Sequence, residues 1–358
     1  MSMKSKMRCG RFSKRNLYVH FPFCRSKCSY CALYSRSGSD AGQRDRYIEI
    51  LRREISGLDG VFDTVYFGGG TPAMCDLGKL GPLLLPRLAP DCEFTVELHP
   101  LDVSGETLSM LRQCGVNRIS MGLQSLDDAT LSDMGRGYTF AVAERAFSKI
   151  KEVFDNAGVD IIAGYPFDVW TESRFSRLGQ WGLRHCSVYS LQFEPESALY
   201  RRKGAKAPDD DILMDAVRAA AEKLESFGLK RYEISNYAVE GFECRHNLAV
   251  WRGEDYIGIG AGACGREGLI RTRNRGLPEE GFMGMKAERE EVDEIFDRKE
   301  RSIFSLRTID GLEAVDDPLM LEVLKRHEAD GLVRFDRGVF KLTDRGCEVC
   351  DSILADLA

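Results

Sequence analysis

The stretch LYVHFPFCRSKCSYC, residues 17–31, joins a β-prone apolar run to three cysteines spaced C-x3-C-x2-C: Cys24, Cys28 and Cys31. Such a thiol array suits zinc, an iron–sulfur cluster or a redox disulfide. Structural zinc takes four ligands in a closed tetrahedron, and no second C-x2-C pair lies nearby. A redox motif needs two cysteines rather than three. A [4Fe–4S] cluster takes one thiolate per iron, so three cysteines leave one iron open for another ligand.

The rest of the chain sets the context for these thiols. The basic N-terminus MSMKSKMRCGRFSKRN has no apolar h-region, so a cytoplasmic location is expected, where thiols stay reduced. The 12 cysteines therefore do not read as a disulfide framework, and Cys75, Cys92, Cys114 and Cys186 read as small buried apolar residues. A net charge of −6 argues against a broad nucleic-acid footprint, which needs a basic surface. No apolar run approaches the roughly 18–20 residues that cross a bilayer.

Six β-prone runs alternate with helix-like segments: 17–21, 64–70, 94–100, 118–124, 159–166 and 187–195. The connections carry helical spacing, as in RDRYIEILRREI, where Tyr47, Ile48, Leu51 and Ile55 share a face. This is the pattern of parallel βα units, closing as a partial barrel or lying open as a doubly wound sheet. Polar and glycine residues gather at the C-terminal ends of the runs, where such folds place their sites. A further helix is expected near 209–227, then one strand in RYEISNY. Residues 240–290 lose periodicity and read as irregular. The final segment reads as a small helical unit with a hairpin around DRG, and CEVC (347–350) falls in its last helix.

With these segments in order, LYVHFPFCRSKCSYC resembles the cluster loop of the radical S-adenosylmethionine (SAM) superfamily. YFGGGTP (66–72) is similar to that superfamily's glycine-rich segment. More narrowly, YVHFPFC, FGGGTP, GVNRIS, YEISNYA, CRHNLAVWRGEDYIGIGAGA and LTDRG resemble the coproporphyrinogen III dehydrogenase-like family, over residues 17 to about 345. The resemblance implies an α/β fold, a partial (β/α)6 barrel with a small, mainly helical, winged-helix-like C-terminal domain. The units are then a basic tail (1–16), the barrel (17–235), a connecting segment (236–290) and the C-terminal domain (291–358). It also implies cluster ligation by Cys24, Cys28 and Cys31. Tyr18, Gly69, Gly70, Thr71, Glu97, Gln124, Arg136 and Asp160 match SAM-contacting positions, with Gln192 a softer match. Glu97 suits the ammonium, Arg136 the carboxylate and Asp160 a ribose hydroxyl.

The family divides after the third cysteine. Its oxidase branch resembles C-x3-C-x2-C-x-C, but this chain has Leu33 at the fourth position, which points to the haem-chaperone branch of HemW type. That branch implies haem, haem-accepting proteins and an electron donor as partners, and it leaves the oligomeric state open, a dimer included. The alternative is an oxidoreductase acting on coproporphyrinogen or another tetrapyrrole, and a third reading makes the cluster purely structural. No catalytic residue is assigned. The chain also departs from the branch pattern H-N-x-x-Y with HNLAV, where Val250 neither ligates iron nor bonds a propionate. His246 thus has two readings, a haem contact or a hydrogen-bonded structural histidine, and the structural one takes precedence. Cys264 stands where the family usually has histidine, GRGY (135–138) where it has GR-x-H, and Ala32–Leu33 where it has DF. These changes read as lost polar ligands. Arg271, Arg273 and Arg275 form a basic cluster that suits propionates or, more simply, solvent.

Overall fold

The computed structural model describes residues 15–166, 168, 170–202, 206–277, 287–313 and 316–358. The basic tail expected over 1–16 lies outside the described residues up to position 14, and Asn16 already belongs to the first strand. Six parallel strands carry the architecture: β1 (Asn16–Phe21), β2 (Phe62–Gly69), β3 (Leu88–Leu98), β4 (Arg118–Gln124), β5 (Asn156–Ala163) and β6 (His185–Ser190). The last run ends earlier than its sequence suggests: residues 191–195 leave the sheet.

Period-two alternation gives each strand two chemically different faces. One face is apolar: Leu17, Val19, Phe67, Phe94, Val96, Ile119, Met121, Val159, Ile161 and Val188 belong to one buried core. Helices cover that face, namely α1 (Ala41–Ser56), α2 (Gly105–Gln113), α3 (Phe140–Val153), α4 (Glu172–Gly179) and α5 (Asp210–Ser226). Helix α1 packs Tyr47, Ile48, Leu51 and Ile55, and a reciprocal Asp40–Gln43 capping box starts it. Helix α5 is capped by Asp209. The alternate positions are largely polar: Thr64, Tyr66, Glu93, Thr95, Glu97, Arg118, Ser120, Asp160, His185 and Ser187. A concave sheet with this inner face is built to hold polar ligands rather than a hydrocarbon core.

Two expectations are corrected here. RYEISNY forms two strands, β7 (Lys230–Glu233) and β8 (Asn236–Ala238), because the Glu233 carboxylate accepts the Ser235 N–H (3.1 Å) and turns the chain. The segment 240–290, read as irregular, contributes α6 (Arg245–Trp251), β9 (Tyr256–Ile259), β10 (Cys264–Glu267), β11 (Ile270–Asn274) and β12 (Ala287–Glu291). Strand β9 pairs in parallel with β1, Tyr18 opposite Gly258. Among the described residues the parallel set therefore has seven strands, one beyond the expected six, in a twelve-stranded sheet ordered β12-β11-β10-β9-β1-β2-β3-β4-β5-β6-β8-β7. YIGI has too few side chains for its periodicity to show, so pairing with β1 decides its conformation.

The C-terminal unit has its own core of Leu306, Met320, Leu324, Val333, Phe340, Ile353 and Leu357. It comprises α7 (Glu294–Ser305), β13 (Leu312–Glu313), α8 (Pro318–Ala329), the hairpin β14 (Val333–Asp336)–β15 (Val339–Leu342), α9 (Asp344–Glu348) and α10 (Cys350–Leu357). The single helix expected across CEVC breaks at Val349, which leaves helical geometry at ψ 25°. Among the described residues no helix is long and apolar enough to cross a membrane.

At the strands' N-terminal end, α6 closes the sheet from below. The buried Glu93 carboxylate accepts the N–H groups of Arg245 and His246, each at 3.1 Å, and so caps the first turn. Replacing Glu93 with Ala leaves two amides without an acceptor. The expected cost is on the order of 3 kcal/mol, read as a lowered urea midpoint of the apo-protein.

Candidate functional site

The cluster loop leaves β1 at Phe21 and is closed at its base by a two-residue parallel pairing, Phe23 opposite Arg36 and Cys24 opposite Ser37. Its middle docks on the turn after β4. Ser29 N–H donates to Met134 O (3.0 Å), Ser26 Oγ to Gly135 O (3.3 Å) and Arg136 Nη1 to Cys28 Sγ (3.4 Å). Cys24, Cys28 and Cys31 are all partly exposed, and all three line one cavity of about 630 Å³. Burial pushes the Cys24 thiol up, against a contact from Thr71. No group of three His, Cys, Asp or Glu suited to one metal ion occurs among the described residues. The three thiols open on one shared space, which suits a cluster that takes one thiolate per iron.

The glycine segment after β2 forms the cavity's base. Gly70 N–H donates to Phe21 O and Thr71 N–H to Phe23 O, both at 2.7 Å. A Cβ on Gly70 would lie 2.7 Å from Phe21 O and 3.0 Å from Cys24 Sγ, so only glycine lets the two loops meet. Gly69 takes φ +103°, and its N–H donates to Glu97 Oε2 (3.2 Å).

The walls come from strand ends. Glu97 ends β3 and accepts the Tyr66 hydroxyl (2.8 Å). Burial, then the neighbouring Asp160, push its carboxyl up to about 7. Asp160 accepts Ser120 Oγ–H (3.0 and 3.1 Å), and burial raises its pKa also. Gln124 sits at a register shift with φ 69°, a left-handed backbone that non-glycine residues rarely adopt. Arg136 is held by Gly122 O through Nη2 (2.8 Å) and by Tyr138 through Nε (3.1 Å), with its guanidinium 5.3 Å from the Tyr138 ring centre.

Every sequence-derived site residue except two lines this cavity, Gln192 included. The exceptions are Tyr18 and His246. Tyr18 shares a hydrogen bond with His20 Nδ1 (3.0 Å) and stacks on Tyr66 below the cavity. His246 is 4% exposed, hydrogen-bonds Thr64 Oγ1 through Nδ1 (2.7 Å) and lies 5.2 Å from the Tyr66 ring. Burial, with Arg118 nearby, lowers its pKa to about 3, so it is a neutral core histidine with no opening to a ligand. This environment favours the structural reading of His246 over the haem contact. Of the basic cluster, Arg271 is engaged by Asp297 and Glu300, each at 2.6 Å, and Arg275 by Glu288 (3.4 Å). Cys264 is exposed on β10.

Two residues that shape the site are not singled out by the sequence: Tyr66 in the wall and Tyr138 behind Arg136. Tyr66 lies inside the quoted YFGGGTP, three residues before Gly69, at an inward position. Tyr138, in the GRGY segment that reads as a lost ligand, has a different role. Its hydroxyl instead bonds Gly122 O (2.8 Å) and Leu123 O (2.9 Å) while it supports Arg136.

Known proteins are similar to this chain. The family model of the radical SAM superfamily matches residues 18–174. The chain is 31% identical to the heme chaperone HemW of Bacillus subtilis, over 93% of this chain and 96% of that protein. It is also 31% identical to the heme chaperone HemW of Mycobacterium tuberculosis, over 95% and 94% of the two chains. Among solved structures, the radical SAM enzyme coproporphyrinogen III oxidase (HemN) of Escherichia coli is 20% identical. It superposes with a TM-score of 0.82 over 97% of this chain and 90% of its own, so the fold is shared.

The raised carboxyl of Glu97 has a measurable consequence. The folded chain keeps the proton between the ordinary glutamate pKa and about 7, whereas the unfolded chain loses it, so Glu97 lowers stability as pH rises through that window. Denaturation of apo-protein from pH 4.5 to 7.5 is expected to show this fall, and Glu97→Gln to lessen it.

Proposed function

The chain belongs to the HemW family of radical SAM proteins, and on that premise we propose that it is a haem chaperone, binding haem and passing it to haem proteins. Membership of the superfamily implies a [4Fe–4S] cluster and SAM. The observation that carries the site reading is the convergence of Cys24, Cys28, Cys31, Gly69, Gly70 and Glu97 on one cavity. When bound, the cluster supplies a one-electron reductant and an iron free to chelate SAM.

The chain's own residues do the holding. Cys24, Cys28 and Cys31 are the proposed cluster ligands, so each change to Ala is expected to cut the iron retained after anaerobic reconstitution. The backbone of Gly69–Thr71 offers groups to SAM's amino acid portion, with Gln124 beside it, and Asp160 suits a ribose hydroxyl. Glu97 takes the ammonium: two donors, Tyr66 O–H and Gly69 N–H, already fix its oxygens in place. Arg136 keeps N–H groups beyond its three protein partners and can meet the carboxylate. Because Glu97 titrates near 7, binding the ammonium displaces its proton at lower pH. SAM affinity is expected to rise from pH 6 to 8 in the reconstituted protein, and Glu97→Gln to flatten that rise, as read by calorimetry.

The chaperone reading is preferred to the oxidase one because Leu33, 58% exposed beside the loop, stands where the oxidase branch resembles a fourth cysteine. With His246 in the core, haem uptake does not run through the HNLAV segment, and an electron donor and a haem-accepting protein complete the proposed partners. The deciding experiment uses anaerobically reconstituted protein. Haem is titrated by absorbance, and 5′-deoxyadenosine is assayed with SAM and dithionite. About one haem per chain with little deoxyadenosine supports the chaperone. Deoxyadenosine release stimulated by a porphyrinogen, without haem uptake, overturns it in favour of the oxidase.

A further inference from the structure

The cluster loop touches the turn after β4 through two backbone-directed bonds and one charged contact, and the charged contact does not fit a merely structural role. Arg136 is gripped on three sides. Nη2 donates to Gly122 O (2.8 Å), Nε to the Tyr138 hydroxyl (3.1 Å), and the guanidinium lies 5.3 Å from the Tyr138 ring centre. Tyr138 is itself immobilised, with its hydroxyl bonded to the carbonyls of Gly122 and Leu123 and the His99 ring edge-on at 5.1 Å. This grip leaves Nη1 aimed at Cys28 Sγ, 3.4 Å away. Ser29 and Ser26 pin the loop on either side of Cys28 to Met134 O and Gly135 O, so sulfur and guanidinium are set by the same turn.

We propose that Arg136, positioned by Tyr138, is a fixed cationic hydrogen-bond donor to the Cys28 sulfur that sets the reduction potential of the cluster. The inference rests on the reading of Cys28 as a cluster ligand. Arginine carries its charge at any working pH, and its planar fork holds direction better than a lysine ammonium. One electron from an external low-potential donor takes a [4Fe–4S]2+ cluster to [4Fe–4S]+, with no bond made or broken. The added negative charge, spread onto the thiolates, is stabilised by a donor and a positive charge at one sulfur. Hydrogen bonds to cluster sulfurs are among the terms that set such potentials. The contact therefore favours the reduced form, and the chain reaches it with a weaker reductant than the bare cysteine loop would need.

Neither neighbouring thiol has an equivalent. Cys24 meets neutral hydroxyls, Thr71 Oγ1 at 3.9 Å and Ser35, and no hydrogen bond to Cys31 Sγ is found among the described residues. Tyr138 is a positioning residue here, since it acts through Arg136.

The test is a redox titration of full-length, anaerobically reconstituted protein, followed by electron paramagnetic resonance without SAM. Leaving SAM out keeps a carboxylate role of Arg136 from entering the result. Arg136→Met removes charge and donor, and is expected to lower the reduced-to-oxidised ratio at a given potential about tenfold, a shift of about −59 mV for one electron. Arg136→Lys recovers part of the shift. Tyr138→Phe keeps the ring but releases the guanidinium, and moves the potential the same way by less. If Arg136→Met holds no cluster, Tyr138→Phe and Arg136→Lys carry the comparison. A wild-type protein with a reducible cluster whose variants all titrate at the same potential overturns this inference and leaves the family reading intact. A wild-type protein that takes up no iron overturns both.

Discussion

The site depends on one close backbone approach. Gly70 and Thr71 donate their N–H groups to Phe21 and Phe23 at 2.7 Å, and this fastens the end of β2 to the start of the cysteine loop. The loop carries little regular structure of its own, so its thiols are placed by what it is tied to: this glycine turn on one side and the Met134–Arg136 turn on the other. A side chain at position 70 would push against both a carbonyl and the Cys24 sulfur, separating the thiols from the strand ends that complete the cavity. The same turn directs the Gly69 N–H to Glu97, so thiol placement and carboxylate placement are one geometric decision.

The electrostatics follow from putting polar groups on the concave face of a sheet. Glu97 and Asp160 lie close together with no direct ion-pair partner among the described residues, and burial raises both. Such a pair is held at some cost unless a cation joins it, which suits a ligand that brings its own positive charge. Arg136 is placed apart from them, with its donors turned to backbone, tyrosine and sulfur. The chain thereby keeps a negative wall and a positive wall in one cavity without letting them neutralise each other.

The opposite end of the sheet is treated differently. Glu93, Thr64, His246 and Arg118 fill the inner face there as a closed polar layer under α6, with His246 neutral and bonded to Thr64. A tilted ring contact from His246 to Tyr66, and the hydrogen bond from Tyr66 to the Glu97 carboxylate, link this plug to the cavity base. Polar residues therefore have different duties by depth: a histidine below is packing, while carboxylates a layer above line the cavity. Active-site polarity in this fold is graded along the strand axis.

The cysteine spacing, the glycine segment, Glu97 and Gln124 were legible in the sequence, because each sits at or near the end of a β-prone run; Asp160, inside the fifth run, and Arg136, well past the fourth, were implied only by the family resemblance. In a parallel βα array local order alone then brings them to one rim. The outward apolar and inward polar positions were implicit in the same alternation. Other features arose only from contacts between distant segments. Strand β9 becomes a strand because β1 offers it an edge, Tyr18 against Gly258. His246 becomes a core residue because Thr64, 182 positions earlier, faces it across the closed end of the sheet. Tyr138 turns from an apparent loss into a support because its hydroxyl reaches two carbonyls of β4. Spacing along the chain determined which chemistry was present. Three-dimensional packing decided which polar groups meet a ligand and which only meet one another, because that depends on depth and register, which local sequence does not encode.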